Sequence, residues 1–271
     1  MLVVASREGS TLVLTLNRPD AGNAMSVDVA LELKAAIAVC RDDPSIRSVV
    51  VTGAGERYFC TGGDVKRYAK LDDAAELNQA FNTVRDLLDE MEGLDQPVFA
   101  ALNGFTVGGG TEFALACDLR FADRSAQIGL PHIRLGLIPG WDGGARLVEL
   151  VGRAHAMRLM LSGERVGADE ALRMGLVDQV TDDGACVRAA LEFAAKLDAA
   201  APLAIGAAKR TVLDSLRHDP ALARTRARQR FAELWFTDDH KEAERAFAEK
   251  RAPRFSGEGA GRVARTQRNG K

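Results

Sequence analysis

Residues 103–112 have the sequence Asn103-Gly104-Phe105-Thr106-Val107-Gly108-Gly109-Gly110-Thr111-Glu112. An apolar run at 97–102 precedes this stretch, and a second apolar run at 113–117 follows it. The order predicts a buried strand, a glycine-rich turn and a helix with a carboxylate in its first turn. Glycines there let the backbone approach a ligand and point N–H groups at it. The pattern alone leaves open an oxyanion site beside a proton-transferring acid, a phosphate loop, or a tightly packed turn without a ligand.

A second strand-to-helix turn has the same character. Residues 48–53 are an apolar strand candidate, and the segment that follows contains Arg57-Tyr58-Phe59-Cys60-Thr61-Gly62-Gly63-Asp64-Val65. Asp64 is well placed to cap the helix that we expect after it. Two such turns can supply two backbone N–H groups that converge on one oxygen atom, which is how a site for a thioester enolate is built without charged side chains. The pair of turns therefore favours the oxyanion interpretation.

Composition argues against several other classes of function. The 271 residues carry a net charge of −2, which leaves no broad basic surface for nucleic acid. No secretory h-region and no apolar run of about twenty residues is present, so we expect neither export nor a membrane span. The four histidines are widely spaced and form no metal motif. The four cysteines lack C-x-x-C spacing and lie in or beside apolar runs, as is typical of reduced thiols in a cytoplasmic protein.

The first half of the chain alternates predicted strands and helices, which indicates an α/β core with its active loops after the strands. Ser26 is the expected N-cap of the first helix. Predicted strands lie at 2–5 and 11–16 (a hairpin), 47–53, 97–102, 119–122 and 126–129, and predicted helices at 26–40, 73–91 and after Gly110.

From about Gly143 the pattern is helical, and we expect six consecutive helices with no matching strands. They lie at 153–161, 168–174, 182–197, 203–216, 220–235 and 239–250. We predict a core at 1–200 and an appended helical region at 201–252. The tail at 253–271 is rich in Gly and Arg, and we expect it to be disordered and solvated rather than bound to an anionic partner.

Taken together, these motifs resemble the crotonase, or enoyl-CoA hydratase/isomerase, family over nearly the whole chain. No single motif is specific, but many occur in the family's order. The matching positions are 16–19, 23–25, 59–64, 103–112, 116–118, 131, 135–140, 152–154, 171–177 and 237–251.

The resemblance implies a spiral of ββα units that carries the acyl-CoA site, followed by a C-terminal helical oligomerisation region. It further implies a homotrimer or homohexamer that acts on acyl-CoA thioesters, as in fatty acid metabolism. Coenzyme A would arrive as part of the substrate. No other cofactor and no metal is expected, because the chemistry is proton transfer alone.

The resemblance also assigns site residues. The N–H groups of Thr61 and Gly109 are expected to form the oxyanion hole, and Glu112 is the expected catalytic acid. Pantetheine is expected near Ala24 and the 61–64 segment. Lys250 and Arg251 are candidates for contacts to the CoA phosphates, although a solvated basic helix end explains them equally well. The predicted substrate-binding residues are Ala24, Gly62, Gly63, Asp64, Gly108, Trp141 and Lys250.

One departure from the family pattern concerns the second glutamate of the hydratases, where this chain has His132 after Pro131. Histidine titrates near neutrality and can act as acid or base. His132 is therefore either a partner of Glu112 in proton transfer or only a pocket wall. Nearby, Trp141 is expected to narrow or floor the acyl pocket. Asp142 is either a second carboxylate or, as we favour, the N-cap of the next helix.

These residues predict hydration of a 2-enoyl-CoA to a 3-hydroxyacyl-CoA, a lyase reaction. Glu112 would orient and deprotonate water, and His132 or Glu112 would deliver the α-proton. Three alternatives stay open at this stage. They are an enoyl-CoA double-bond isomerase, a C–C hydrolase or decarboxylase of the same fold, and a catalytically weak acyl-CoA binder.

Overall fold

The computed structural model describes residues 1–69 and 71–257. The chain divides into two compact units, the first made of 1–94 and 98–193 and the second of 95–97 and the chain from Ala194 onward. The boundary therefore falls inside a helix, Cys186–Leu197. Of the tail that we predicted to be disordered, residues 253–257 are irregular and the remainder lies outside the described residues.

A six-stranded sheet forms the larger part of the first unit, with strand order β1-β2-β3-β5-β7-β10. The predicted hairpin of β1 and β2 is present and antiparallel, and its turn includes Gly9, whose φ of +61° favours glycine. The other neighbours in this sheet are parallel. Its strands are β1 (Val3–Glu8), β2 (Thr11–Leu16), β3 (Ser48–Gly53), β5 (Val98–Leu102), β7 (Leu119–Asp123) and β10 (Gln179–Thr181).

A second sheet of four short strands has the order β4-β6-β8-β9. Its strands are β4 (Tyr58–Cys60), β6 (Phe105–Val107), β8 (Gln127–Gly129) and β9 (Arg165–Gly167). The expectation of six helices without matching strands was wrong, because β9 pairs with β8 and β10 pairs with β7. Strands of three residues are too short to produce a recognisable hydrophobic alternation.

Ten helices are found in the described part of the chain. They are α1 (Val27–Asp42), α2 (Val65–Tyr68), α3 (Ala74–Glu92), α4 (Gly109–Leu115), α5 (Gly143–Ser162), α6 (Ala168–Met174), α7 (Cys186–Leu197), α8 (Pro202–Arg217), α9 (Pro220–Trp235) and α10 (Asp238–Glu249). Ser26 caps α1 as predicted, since its side chain accepts a hydrogen bond from the Val29 N–H. Among these helices, none is both long and apolar enough to cross a bilayer.

Two parallel neighbours, β4 and β6, bring the glycine-rich turns together. Tyr58 pairs with Phe105 and Cys60 pairs with Thr106, so the turn after each strand emerges at the same edge of the sheet. One turn leads to α2 and the other to α4, which is buried along its entire length. The burial of α4 explains why a carboxylate in its first turn is held inside the protein. All four cysteines are buried and unbridged, as the sequence predicted.

Candidate active site

The two glycine-rich turns touch at their backbones. A methyl group on Gly62 would lie 3.0 Å from the Gly109 nitrogen, and one on Gly110 would lie 1.9 Å from the Cys60 carbonyl oxygen. Gly62 has a φ of +99° and Gly108 a φ of +59°, which other residues adopt only with strain. Glycine is therefore required here for close packing as well as for access to the backbone N–H groups.

The backbone N–H groups that are free at the two turns differ from the predicted oxyanion pair. The Thr61 N–H donates to the Gly22 carbonyl oxygen at 3.0 Å, so it is not free to bind a substrate. By contrast, the N–H groups of Gly63 and Gly109 have no acceptor among the described residues. We therefore replace Thr61 by Gly63 in the predicted pair and retain Gly109.

The cause of this correction is a short parallel bridge between Met25 and Gly63. In the bridge the Met25 N–H donates to the Gly62 carbonyl oxygen, and the Asp64 N–H donates back to the Met25 carbonyl oxygen. Successive N–H groups of an extended strand point to opposite sides. The bridge thus uses the Gly62 carbonyl oxygen and the Asp64 N–H, on either side of Gly63, and the Gly63 N–H points away from it.

Glu112 is 1% exposed, and backbone N–H groups of the loop before α5 hold its carboxylate. Oε2 accepts from Trp141 N at 2.7 Å and from Gly143 N at 2.9 Å, and Oε1 accepts from Gly140 N at 3.2 Å. Hydrogen bonds to both oxygens fix the orientation of the group. A methyl group on Gly143 would lie 2.4 Å from Glu112 Cγ, so glycine at 143 allows the loop to close on the carboxylate.

His132 lies beside this carboxylate. Its Nε2 is 3.3 Å from Glu112 Oε1, and its Nδ1 is buried with no hydrogen-bond partner among the described residues. A 3-10 turn, Pro131–Leu135, carries the side chain, and proline at its first position fixes the backbone there. The structure thus brings together the two residues that the sequence named as the catalytic pair.

Trp141 covers both glycine turns with a ring that is 2% exposed. A methyl group on Gly109 would lie 2.1 Å from its Cζ3, and one on Gly63 would lie 3.5 Å from its Cζ2. A role of Trp141 in the acyl pocket stays a prediction. Asp142 occupies the N-cap position of α5 as predicted, but this exposed residue has a φ of +63° and its side chain makes no capping hydrogen bond. The Gly143 N–H at the start of α5 instead donates to Glu112.

Sequence reasoning missed Tyr68, the last residue of α2. Its ring lies 2.5 Å from the position of a methyl group on Gly63, and its hydroxyl is buried without a partner among the described residues. Burial and, to a smaller extent, the charge of Asp64 raise the pKa of Tyr68 to about 12. A four-residue helix has too little hydrophobic periodicity to reveal which side chain turns inward.

A model of the enoyl-CoA hydratase/isomerase family matches residues 6–258. The chain belongs to this family. It is 36% identical over 250 residues to a short-chain-enoyl-CoA hydratase of Clostridium acetobutylicum, covering 92% of this chain and 95% of the relative. It is 37% identical over 255 residues to a 2,3-dehydroadipyl-CoA hydratase of Escherichia coli, covering 94% and 98%. A crystal structure of an enoyl-CoA hydratase from Bacillus anthracis superposes with a TM-score of 0.91 at 34% identity, covering 95% of this chain and 100% of the other.

In this enoyl-CoA hydratase/isomerase, Arg18 links two of the predicted substrate-binding residues. Arg18 joins Ala24 to Asp64, because its Nη1 donates to the Ala24 carbonyl oxygen at 2.7 Å and its Nη2 to Asp64 Oδ2 at 2.8 Å. Although partial burial opposes it, the Arg18 hydrogen bond lowers the pKa of Asp64. Asp64 also caps α2 through the Arg67 N–H, as predicted. A CoA-binding role for Ala24, Gly62, Asp64 and Gly108 stays a prediction.

Lys250 belongs to the second unit, where it ends α10 in a left-handed conformation with a φ of +54°. It is exposed. Arg251 forms ion pairs with Glu242 and Glu249. A CoA-phosphate contact therefore falls more readily to Lys250, and it too stays a prediction. Within 1–69 and 71–257, no three His, Cys, Asp or Glu side chains are grouped in a way that could hold a metal ion.

Proposed function

We propose that this protein hydrates 2-enoyl-CoA thioesters, with His132 as the base that activates water and Glu112 as the residue that positions His132. One observation carries the proposal. His132 Nε2 lies 3.3 Å from Glu112 Oε1, while its other ring nitrogen is buried and unpaired among the described residues. The names of the two curated relatives support hydration as the reaction, since both describe hydratases of enoyl-type CoA thioesters.

The surroundings of Glu112 argue for this division of roles. Three backbone N–H groups and the His132 ring already surround its two oxygens. A carboxylate offers about four lone-pair directions, so little capacity is left for a water molecule. If Nε2 carries the hydrogen and points it at Glu112, Nδ1 is the basic nitrogen. Glu112 then selects the tautomer in which Nδ1 is the nitrogen that can accept a proton.

The thioester oxygen would lie at the N–H groups of Gly63 and Gly109. Both belong to turns that are held in place by backbone contacts, so they can stabilise negative charge without rearrangement. Removing one such donor costs about 10²–10³-fold in rate in a well-studied protease. Trp141 packs on both glycines, so the atoms of the acyl group would lie against its ring.

The reaction follows from these placements. His132 Nδ1 takes a proton from water as the water oxygen forms a bond to the β-carbon of the enoyl group. The π electrons move to the thioester oxygen, which becomes an enolate at the two N–H groups. The enolate collapses as the His132 imidazolium returns the proton to the α-carbon. One water molecule has then been added, and the product is a 3-hydroxyacyl-CoA.

The finer expectations belong to the same proposal: a cytoplasmic enzyme that needs no cofactor besides the CoA of its substrate and that assembles as a homotrimer or homohexamer. Large apolar side chains on the second unit support assembly. Phe247 is 88% exposed, Phe231 64% and Phe236 62%. The Phe231 ring also adjoins that of Trp235, which is 49% exposed, and a patch of exposed apolar side chains commonly marks a protein–protein interface.

The test is the loss of the ultraviolet absorbance of the conjugated thioester when crotonyl-CoA is mixed with the protein, with the product identified by mass. We expect His132→Gln to lower kcat by about 10³-fold, because it removes the base that activates water. Asp142→Asn is the matched control, since the residue is exposed and asparagine tolerates its left-handed backbone. It should keep kcat within about twofold.

Two results would contradict the proposal. A His132→Gln enzyme with wild-type kcat would return the role of base to Glu112. A wild-type protein that leaves every 2-enoyl-CoA unchanged but converts a 3-enoyl-CoA to the conjugated thioester would be an isomerase.

A further inference from the structure

Two buried hydrogen-bond donors near the glycine turns have no use in the reaction above. They are Tyr68 Oη and Trp141 Nε1, and neither has a hydrogen-bond partner among the described residues. Buried polar atoms are paired in the great majority of cases, because an unpaired one loses its bonds to water and gains nothing in return. Two unpaired donors in one part of a substrate site point to a partner atom on the ligand.

The two donors belong to one aromatic wall, formed by Tyr68, Phe81 and Trp141. The ring centroid of Phe81 is 5.2 Å from that of Tyr68 and 6.3 Å from that of Trp141. The rings of Tyr68 and Trp141 also both adjoin Gly63, whose N–H would bind the thioester oxygen. An acyl chain attached to that thioester therefore begins beside the aromatic wall.

Both groups present a proton at physiological pH. An indole nitrogen can only donate. A phenol is protonated at neutral pH, and burial raises the pKa of Tyr68 further, to about 12. The matching ligand atom is consequently a hydrogen-bond acceptor, and a purely alkyl chain would leave both donors unpaired.

The charges around the wall favour a neutral acceptor over an anionic one. The carboxylates of Glu112 and Asp64 lie close to the same glycines, and Arg18 is already paired with Asp64. Arg85 packs against the Phe81 ring but donates to the Gly140 carbonyl oxygen and to Asn82. A ligand carboxylate would approach two anions without a cation of its own, which is costly in a buried site.

We propose that Tyr68 and Trp141 form a specificity subsite for a neutral oxygen, a keto or hydroxyl group, carried by the acyl chain beyond the conjugated double bond. The inference rests on the proposed function for the CoA thioester and goes further by naming the acyl group. Tyr68 and Trp141 are specificity residues here, while the proton transfers remain with His132.

Binding of unreactive, saturated thioesters tests this subsite without requiring any hydration. Calorimetry would compare hexanoyl-CoA with its 4-oxo, 5-oxo and adipyl counterparts. We expect the better keto ligand to bind about tenfold or more tightly than hexanoyl-CoA, and adipyl-CoA to bind more weakly. Tyr68→Phe and Trp141→Phe should each reduce that ratio by about threefold or more, and the double variant should bring it close to one.

Phe81→Leu is the matched control, because it alters the aromatic wall but removes no donor. It should weaken both ligands and leave the keto-to-alkyl ratio unchanged. Since each ratio is measured within one variant, a general loss of packing cancels. Circular dichroism of Tyr68→Phe, which differs from wild type by one oxygen atom, verifies folding.

Equal affinity for keto and alkyl thioesters overturns the subsite. So does tightest binding of adipyl-CoA that Arg85→Gln removes, because the recognised group would then be anionic. Keto-selective binding without hydration of any 2-enoyl-CoA would support the subsite and reject the proposed reaction. Failure to bind any CoA thioester would reject both.

Discussion

Two buried carboxylates of the first unit are held in nearly the same way and have very different neighbours. Glu112 is 1% exposed and accepts hydrogen bonds from three backbone N–H groups, two in the loop before α5 and one at its first residue, Gly143. Asp123 is 3% exposed and accepts three backbone N–H groups at the start of α7, from Gly184, Ala185 and Cys186. Burial and N–H bonding alone therefore do not distinguish a catalytic carboxylate from a structural one.

The difference lies in the titratable group beside each carboxylate. Glu112 faces an imidazole, a group that can act as acid or base and whose second nitrogen is unpaired among the described residues. Asp123 adjoins the thiol of Cys186, and burial, reinforced by the charge of Asp123, raises the pKa of that thiol far above its ordinary value. In the proposed mechanism Glu112 supports a base, whereas Asp123 helps to keep its neighbour neutral.

The largest expected effect is on catalysis. We expect Glu112→Gln to lower kcat by about 10³-fold, because an amide nitrogen placed at Oε1 would donate to His132 Nε2 and put the imidazole hydrogen on Nδ1. Nδ1, the nitrogen that acts as base in the proposed mechanism, would then carry the hydrogen and could not accept a proton. Asp123→Asn should change kcat per folded molecule by less than about twofold. Crotonyl-CoA hydration at matched concentrations of folded protein checks both values. An equal loss of kcat in the two variants would mean that Glu112 is no more important for catalysis than Asp123.

The next effect is on stability, where we expect Asp123→Asn to be more damaging than Glu112→Gln. Asp123 Oδ2 accepts from Gly184 N at 2.9 Å, while Oδ1 accepts from Thr181 Oγ1 and from two N–H groups. An asparagine amide would oppose the Gly184 N–H with a second donor, so we expect Asp123→Asn to lower the free energy of unfolding by about 2–3 kcal/mol.

Glu112→Gln should cost less, about 1–2 kcal/mol, because the new amide opposes only the longer bond from the Gly140 N–H (3.2 Å), while the His132 ring can change tautomer and accept from the amide. Urea denaturation of both variants gives the comparison. A larger loss of stability for Glu112→Gln would mean that its carboxylate is mainly a structural tie between α4 and the loop before α5.

The sequence predicted the parts of this site that follow from strand order. The paired glycine turns and Glu112 in the first turn of α4 result from parallel strands whose turns meet at one edge. His132 was named through the family resemblance and was left open between a proton-transfer partner and a pocket wall. The α/β class and most long helices follow from hydrophobic periodicity in the same way. The fold family was confirmed by relatives that cover nearly the whole chain.

What the sequence could not supply depends on backbone direction and on contacts over long sequence distances. Whether Thr61 or Gly63 offers its N–H is decided by the pairing of 61–64 with 22–25, and no motif encodes that pairing. Asp142 looks like a cap, but the left-handed backbone there turns its side chain away from the helix N–H groups. The short strands β9 and β10 are set by their partners rather than by their own composition.

The smallest expected effect of a substitution is that of Asp123→Asn on the reactivity of the neighbouring Cys186 thiol. Because its raised pKa leaves little thiolate at pH 8, Cys186 in the folded protein should react with iodoacetamide at least about 100-fold more slowly than in urea. Asp123→Asn should speed the native reaction by less than about threefold, since burial is the larger cause of the shift and the Asp123 charge the smaller. The folded protein also keeps a proton that the unfolded chain releases, so the free energy of unfolding should fall as the pH rises above about 9. Mass spectrometry of the Cys186 peptide measures the rates. Fast labelling of the native protein would contradict the description of Asp123 as a buried, fully hydrogen-bonded carboxylate, on which its contrast with Glu112 depends.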